Sequence, residues 1–246
     1  MAGAEFIDRS PMITKLNEHL EVDLQRSALV AVDLLRGHLD ADCATLPVPA
    51  ETSERVVRAN QRLFALCRRL GMPIVHVTQV QRRHPAPSAD VLSNPFWAAV
   101  HAVGESLTPG MSSALERHNL EGSPQAEIVP ELRPLEGEHI VIKKRLTGFH
   151  ATDLELLLRS LGVDTTIIVG INTNTCITGT AFEAMHRDLK VIVVSDCVAS
   201  GHGDDLHRAA LQNIARCVGW VLDTDELAAK LGTTVDADAD RQASLA

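Results

Sequence analysis

Short apolar runs alternate with helical patterns along most of the chain. Residues 28–33 (ALVAVD), 73–78 (PIVHVT), 139–143 (HIVIK), 165–170 (TTIIVG), 190–195 (KVIVVS) and 217–222 (CVGWVL) read as strands. Between them lie segments whose apolar positions recur at helical spacing. Residues 53–70 place Val56, Val57, Leu63, Phe64, Cys67 and Leu70 roughly on one face, with Gly71 as a stop. Residues 152–161 open on Thr152-Asp-Leu-Glu155, the pattern of a capping box, and carry Leu154, Leu157, Leu158 and Leu161. Further helices are predicted over 176–187, 205–215 and 225–231.

Strands that alternate with helices imply a parallel sheet covered on both faces. The strands are continuous apolar runs, as a sheet buried on both sides requires. The expected fold class is α/β: a three-layer α/β/α sandwich around a six-stranded, mainly parallel sheet. Residues 1–26 read as an N-terminal arm, 27–232 as a single domain, and 233–246 as a polar, disordered tail. No internal repeat is visible. Residues 82–130 are the least regular stretch, rich in Pro, Gly and Ser, with room for a lid or a subunit contact.

Composition narrows the function. The formal charge is −9 and no Lys/Arg cluster stands out, which argues against a nucleic-acid partner. No apolar run reaches membrane-spanning length, and the first residues lack the apolar core of a signal peptide, so a cytoplasmic protein with no membrane partner is expected. Five cysteines without a CxxC pair suit reduced thiols rather than a disulfide framework. Aromatics make only 3% of the chain, so the core must rest on Leu, Val, Ile and Ala.

Candidate chemistry sits at the strand ends, because ligands of open α/β sheets bind outside the carboxyl edge. Asp33 closes the first strand. Lys143, followed by Lys144, closes the third. Cys176 lies between the fourth strand and the next helix, where a helix dipole and free N–H groups favour a thiolate and could hold an oxyanion. A nucleophile, a proton acceptor and a fixed positive charge together make the general recipe for an activated cysteine. Each residue also has a bland reading: a small buried thiol, a loop cap, a solvated lysine.

The stretch VIKKRLTGFHATDLELLLRSLGVDTTIIVGINTNTCITGTAFEAMHRDLKVIVVSDCVAS resembles the isochorismatase-like cysteine hydrolase superfamily, and ALVAVDLLRGHLD resembles its first-strand motif. The group includes N-carbamoylsarcosine amidase, nicotinamidase, ureidoacrylate and biuret amidohydrolases, and isochorismatase. The order Asp, then Lys before Gly-Phe-x-x-Thr-Asp-Leu, then G-x-x-T-x-x-C carries the resemblance. It implies a Rossmann-like isochorismatase-type fold and an Asp33-Lys143-Cys176 triad, with Lys144 as the alternative lysine. It also implies a cis peptide at Ile171–Asn172, and an oxyanion hole from the N–H groups of Asn172 and Cys176. A thioester route with ammonia release from a small amide or carbamoyl substrate follows, in a homodimer or homotetramer.

The chain departs from its relatives where the family's Gln would follow the aspartate: Leu34-Leu35-Arg36-Gly37-His38 stands there. The paired histidine of nicotinamidase metal sites is missing after Asp40, so neither a metal nor a cofactor is expected. His202, Asp204, Asp205 and His207 read as capping acids and exposed histidines. Arg36, Phe96, Trp97 and His150 are candidate substrate contacts. A vinyl-ether hydrolase and a catalytically silent binding protein are the alternative functions.

Overall fold

The computed structural model describes residues 7–84, 90–103 and 114–235. Six strands form one sheet: β1 (Ser27–Val32), β2 (Ile74–Gln79), β3 (His139–Lys143), β4 (Thr165–Ile171), β5 (Lys190–Ala199) and β6 (Trp220–Leu222). Their order is β3-β2-β1-β4-β5-β6, and every neighbouring pair is parallel. The expected α/β class is therefore observed. The chain winds outward from β1 to β3 and then returns to lay β4 on the other side of β1. This reversal between β1 and β4 is the switch point at which such sheets open a crevice.

Side chains of β1 alternate between two cores, as a period of two dictates. Leu29 and Ala31 join Val56, Leu63 and Phe64 of α3 (Ala50–Arg69) and Leu227 of α8 (Thr224–Lys230) on one face. Ala28, Val30 and Val32 join Leu154 and Leu158 of α5 (Leu154–Ser160), Ala181 of α6 (Thr178–Met185) and Ile214 of α7 (Asp204–Cys217) on the other. Each fully buried Leu or Phe contributes about 1.5–3 kcal/mol, so the two layers fix the strand register between them.

Several local readings are corrected. No capping box forms at Thr152. Asp153 occupies the cap without a side-chain bond, Thr152 Oγ1 instead donates to Gly148 O at 2.6 Å, and Glu155 pairs with Arg159 and Arg187. A capping box does form at Asp223 and Glu226, at the start of α8. Strand β5 runs on through Asp196 and Cys197, because the β4–β5 register jumps from Ile168↔Val193 to Gly170↔Val198 and the extra residues stay extended. Strand β6 starts only at Trp220, since α7 continues to Cys217.

The arm contains a helix, α1 (Ser10–Glu18), tied to β6: Asn17 Nδ2 donates to Val221 O and Trp220 Nε1 donates to Leu16 O. The irregular stretch holds α4 (Pro95–Val103), none of whose residues is buried. A short α2 (Arg36–Leu39) follows β1. From residue 236 onward the polar tail lies outside the described residues, and Val235 packs against the first core. No helix among the described residues is long and apolar enough to cross a membrane.

Candidate active site

Three elements converge at the switch point. Asp33 follows β1 with a left-handed backbone (φ 52°), which turns its carboxylate across the sheet edge. Its N–H donates to Val77 O at 2.9 Å, and its Oδ1 accepts from Gln79 N at 2.6 Å. The aspartate is thus tethered to β2. Lys143, the last residue of β3, reaches over β2 with its whole side chain buried. Its Nζ lies 2.7 Å from Asp33 Oδ2 and donates to Cys176 Sγ at 3.3 Å and to Arg145 O at 3.1 Å. Lys144 turns away and donates to Val80 O. Geometry therefore distinguishes the two lysines that the sequence left open.

Cys176 does not open an α-helix. It sits inside a π-helical turn, Thr173–Ile177, with α6 beginning only at Thr178. The preceding Ile171–Asn172 peptide is cis. Short polar side chains hold this turn. Asn172 Oδ1 accepts from Gly201 N, Asn174 Oδ1 accepts from Ser200 Oγ, and Thr178 Oγ1 donates to Thr173 O. These bonds explain why the segment is rich in Asn and Thr. Such side chains can replace the backbone partners that an irregular turn lacks.

Two glycines make the convergence possible. At Gly170 (φ +120°) a Cβ would lie 1.8 Å from Val32 O, so β1 and β4 can approach only with glycine there. Gly148 N donates to Thr180 Oγ1, and a Cβ at this position would press on Leu154 and Val77 at 3.2 Å. The loop after β3 is thereby seated on α6, beside Cys176.

The electrostatics are those of a closed ion pair under a thiol. Asp33 and Lys143 have no exposed surface, and Cys176 is 4% exposed. Burial drags the Lys143 ammonium down, but the negative charges of Asp33 and Cys176 outweigh it and hold Lys143 above its ordinary value. Burial pushes the Cys176 thiol up to about 11, against the pull of Lys143 and with the push of Asp33. Burial thus works against the thiolate that a helix start would favour. Asp33 Oδ2, though in charge contact with Lys143, has no directed hydrogen bond among the described residues. It is an acceptor beside a thiol.

A small cavity opens over Cys176. Leu46, Val91, Leu115 and Leu146 form apolar walls, and Trp97 of α4 closes one side. His38, Gln79, His118, Asn172, Thr175 and His202 supply polar atoms. Of the four expected substrate contacts, only Trp97 lines the cavity. Arg36 is held by Asp40 and Glu127 at 2.7 and 2.9 Å, Phe96 is 67% exposed, and His150 is exposed. These three positions follow from local bonding: an arginine with two acid partners stays with them, and only one face of α4 turns inward.

The sequence reading missed His38 and His118. Their rings meet edge to face at 4.8 Å. His38 Nδ1 contacts Leu46 O at 3.0 Å and His118 Nδ1 contacts Thr45 Oγ1 at 2.9 Å. The available signal was a histidine among apolar neighbours in each of two irregular segments. His202, read as exposed, is half-buried against Asn174, and His207 Nδ1 meets Thr173 Oγ1. Asp204 pairs with Arg208 on the surface. Among the described residues no three His, Cys, Asp or Glu side chains are grouped to hold a metal ion.

Comparison with known proteins agrees with this architecture. A ureidoacrylate amidohydrolase of Methylobacterium radiotolerans is 38% identical over 45% of this chain and 43% of its own length. A maleamate amidohydrolase of Pseudomonas putida is 30% identical over 80% of this chain and 83% of its own. Among solved structures, an isochorismatase-like hydrolase from Alkaliphilus metalliredigens superposes with a TM-score of 0.66 at 28% identity, covering 82% of this chain and 97% of that one. With an isochorismatase domain matched over residues 27–226, the chain belongs to the isochorismatase family.

Proposed function

We propose that the protein is a cysteine-dependent amidohydrolase acting on a small carboxamide, ureido or carbamoyl compound. One observation carries this reading: Lys143 Nζ bridges Asp33 Oδ2 and Cys176 Sγ beneath a cavity at the switch point of the sheet. Two relatives named as amidohydrolases support the choice of an amide bond.

Cys176 is the nucleophile and Asp33 its base. As the substrate carbonyl settles over the sulfur, the thiol proton passes to Asp33 and the S–C bond forms. The backbone N–H groups of Asn172 and Cys176 receive the developing oxyanion. Lys143 keeps its charge throughout and stabilises the thiolate that exists only during attack. Asp33 returns its proton to the amide nitrogen, the C–N bond breaks and ammonia leaves a thioester. Water then attacks the thioester, giving its proton to Asp33, and the acid product and the neutral thiol are restored. A raised resting thiol suits this order, because a protonated Cys176 spends no charge until the substrate has displaced water.

The working form is a homodimer or homotetramer. Phe96 of α4, 67% exposed, offers an apolar contact for a second copy, and light scattering reads the mass. The activity is tested by ammonia release across small amides, ureas and carbamoyl amino acids, with wild type beside Cys176→Ala. Release by wild type alone supports the reading. Equal release by both, or by neither, overturns it.

A further inference from the structure

We propose that the cavity over Cys176 selects an uncharged molecule and rejects one that bears a carboxylate. This deepens the amidohydrolase reading and rests on it for the word substrate. Ureidoacrylate and maleamate, for which two relatives are named, are both carboxylates, so the inference separates this chain from those namesakes.

Among the described residues no Lys, Arg, Asp or Glu lines the cavity, whose polar wall is His38, Gln79, His118, Asn172, Thr175 and His202. The two charges beneath it, Asp33 and Lys143, lie 2.7 Å apart and offset each other. The internal segments outside the described residues, 85–89 and 104–113, contain neither Lys nor Arg. The cations nearest in sequence have partners outside the cavity lining: Arg36 meets Asp40 and Glu127, Lys144 donates to Val80 O, Arg82 meets Asp90, Arg117 meets Glu116, and the exposed Arg145 donates to Lys144 O.

The three histidines do not supply the missing charge. Burial holds His38 and His202 below the ordinary imidazole value and His118 well below it, so they face the cavity as neutral rings at pH 7. A carboxylate entering this space would lose its hydration and meet no cation on the cavity wall. A primary amide or urea would meet neutral donors and acceptors of the kind it needs.

The test uses two alkylating reagents of nearly equal size, iodoacetamide and iodoacetate, and needs no turnover. Cys176 Sγ displaces iodide from either, and the rate at its peptide is read by mass spectrometry at pH 8.5. The ratio of the two rates is compared with that of the same peptide in urea-unfolded protein, which cancels intrinsic reactivity. The inference expects the folded ratio to favour iodoacetamide by about tenfold over the unfolded one. In Trp97→Arg, which places a cation on the wall, the preference should shrink or reverse. Equal ratios in the folded and unfolded states, or a preference for iodoacetate, overturn the inference. So does a Cys176 that iodoacetamide cannot reach. Ammonia release from matched neutral and carboxylated amides is followed in parallel. Absence of any release counts against the amidohydrolase reading alone, because the alkylation ratio stands independently of it.

Discussion

Two ionic clusters interrupt the apolar layers, one at each end of the sheet, and they are built on opposite terms. At the amino-terminal end Glu138, next to β3, accepts Arg68 at 2.7 and 3.2 Å, His76 at 2.8 Å and Leu135 N at 3.1 Å. Arg68 also lies over the Phe64 ring, 5.3 Å from its centroid. Both carboxylate oxygens are satisfied, and none of the bonds to Glu138 comes from a thiol. At the carboxyl end Asp33 and Lys143 are more deeply buried, yet Oδ2 keeps an open acceptor direction and the lysine spends one donor on a thiol. A buried pair that is complete only stabilises. A buried pair left incomplete beside sulfur is prepared to move a proton.

The sharpest way to separate the two clusters is to remove the sulfur. Cys176→Ala should lose activity by about ten-thousandfold on any amide that the wild type cleaves, with little change in urea midpoint, because no charge is left unpaired. Lys143→Met should cost about 3–5 kcal/mol of stability, since Asp33 would remain as a buried charge with no partner; urea unfolding measures this. A change near zero would mean that Asp33 is hydrated in the folded state.

Glu138→Gln should cost less, about 1–3 kcal/mol, because Arg68 is partly exposed and can turn to water. Its effect on kcat/KM should stay within about twofold, as the two clusters share no partner. A large loss of activity would break the division of roles drawn here.

The smallest effect is that of pH. Burial pulls Glu138 up, but Arg68 and His76 outweigh it and hold it below the usual carboxylate range. Burial also holds His76, His38 and His118 below the ordinary imidazole value of 6.5. All four are depressed in the fold, so each contributes stability above its unfolded value and loses it as pH falls through the folded one. Thermal unfolding should therefore be steady above pH 6.5, fall first through the histidines and fall again through Glu138. Glu138→Gln should make the second step smaller and, by removing the charge that raises His76, move part of the first to lower pH.

The legible parts of the sequence were those with a period. Six apolar runs gave the strands and their parallel class, and the strand ends gave Asp33, Lys143 and Cys176 as neighbours at one edge. Position alone could not choose Lys143 over Lys144. The fold sets them apart: Lys143 ends β3 with its ammonium between Asp33 and Cys176, whereas Lys144 lies past the strand and donates to Val80 O. The π turn was illegible because its bonds run to Gly201 and Ser200, far along the chain. The histidine wall was missed for a similar reason. It is assembled from α2 and from the stretch before β3, where no period marks an inward residue. Arg36 looked like a ligand contact because it follows the aspartate, but Glu127, remote in sequence, claims it.

The chain's two tryptophans stand at opposite places, Trp97 on the cavity and Trp220 under α1. The molecule thus carries its own pair of optical reporters. With Trp220→Phe the remaining indole emits only from the wall above Cys176, and its quenching follows occupancy of the cavity in real time. With Trp97→Phe the emission comes instead from the seam between the arm and β6, and records when that helix lifts away. Occupancy and detachment of the arm can therefore be followed separately by light, without attaching a dye to any cysteine.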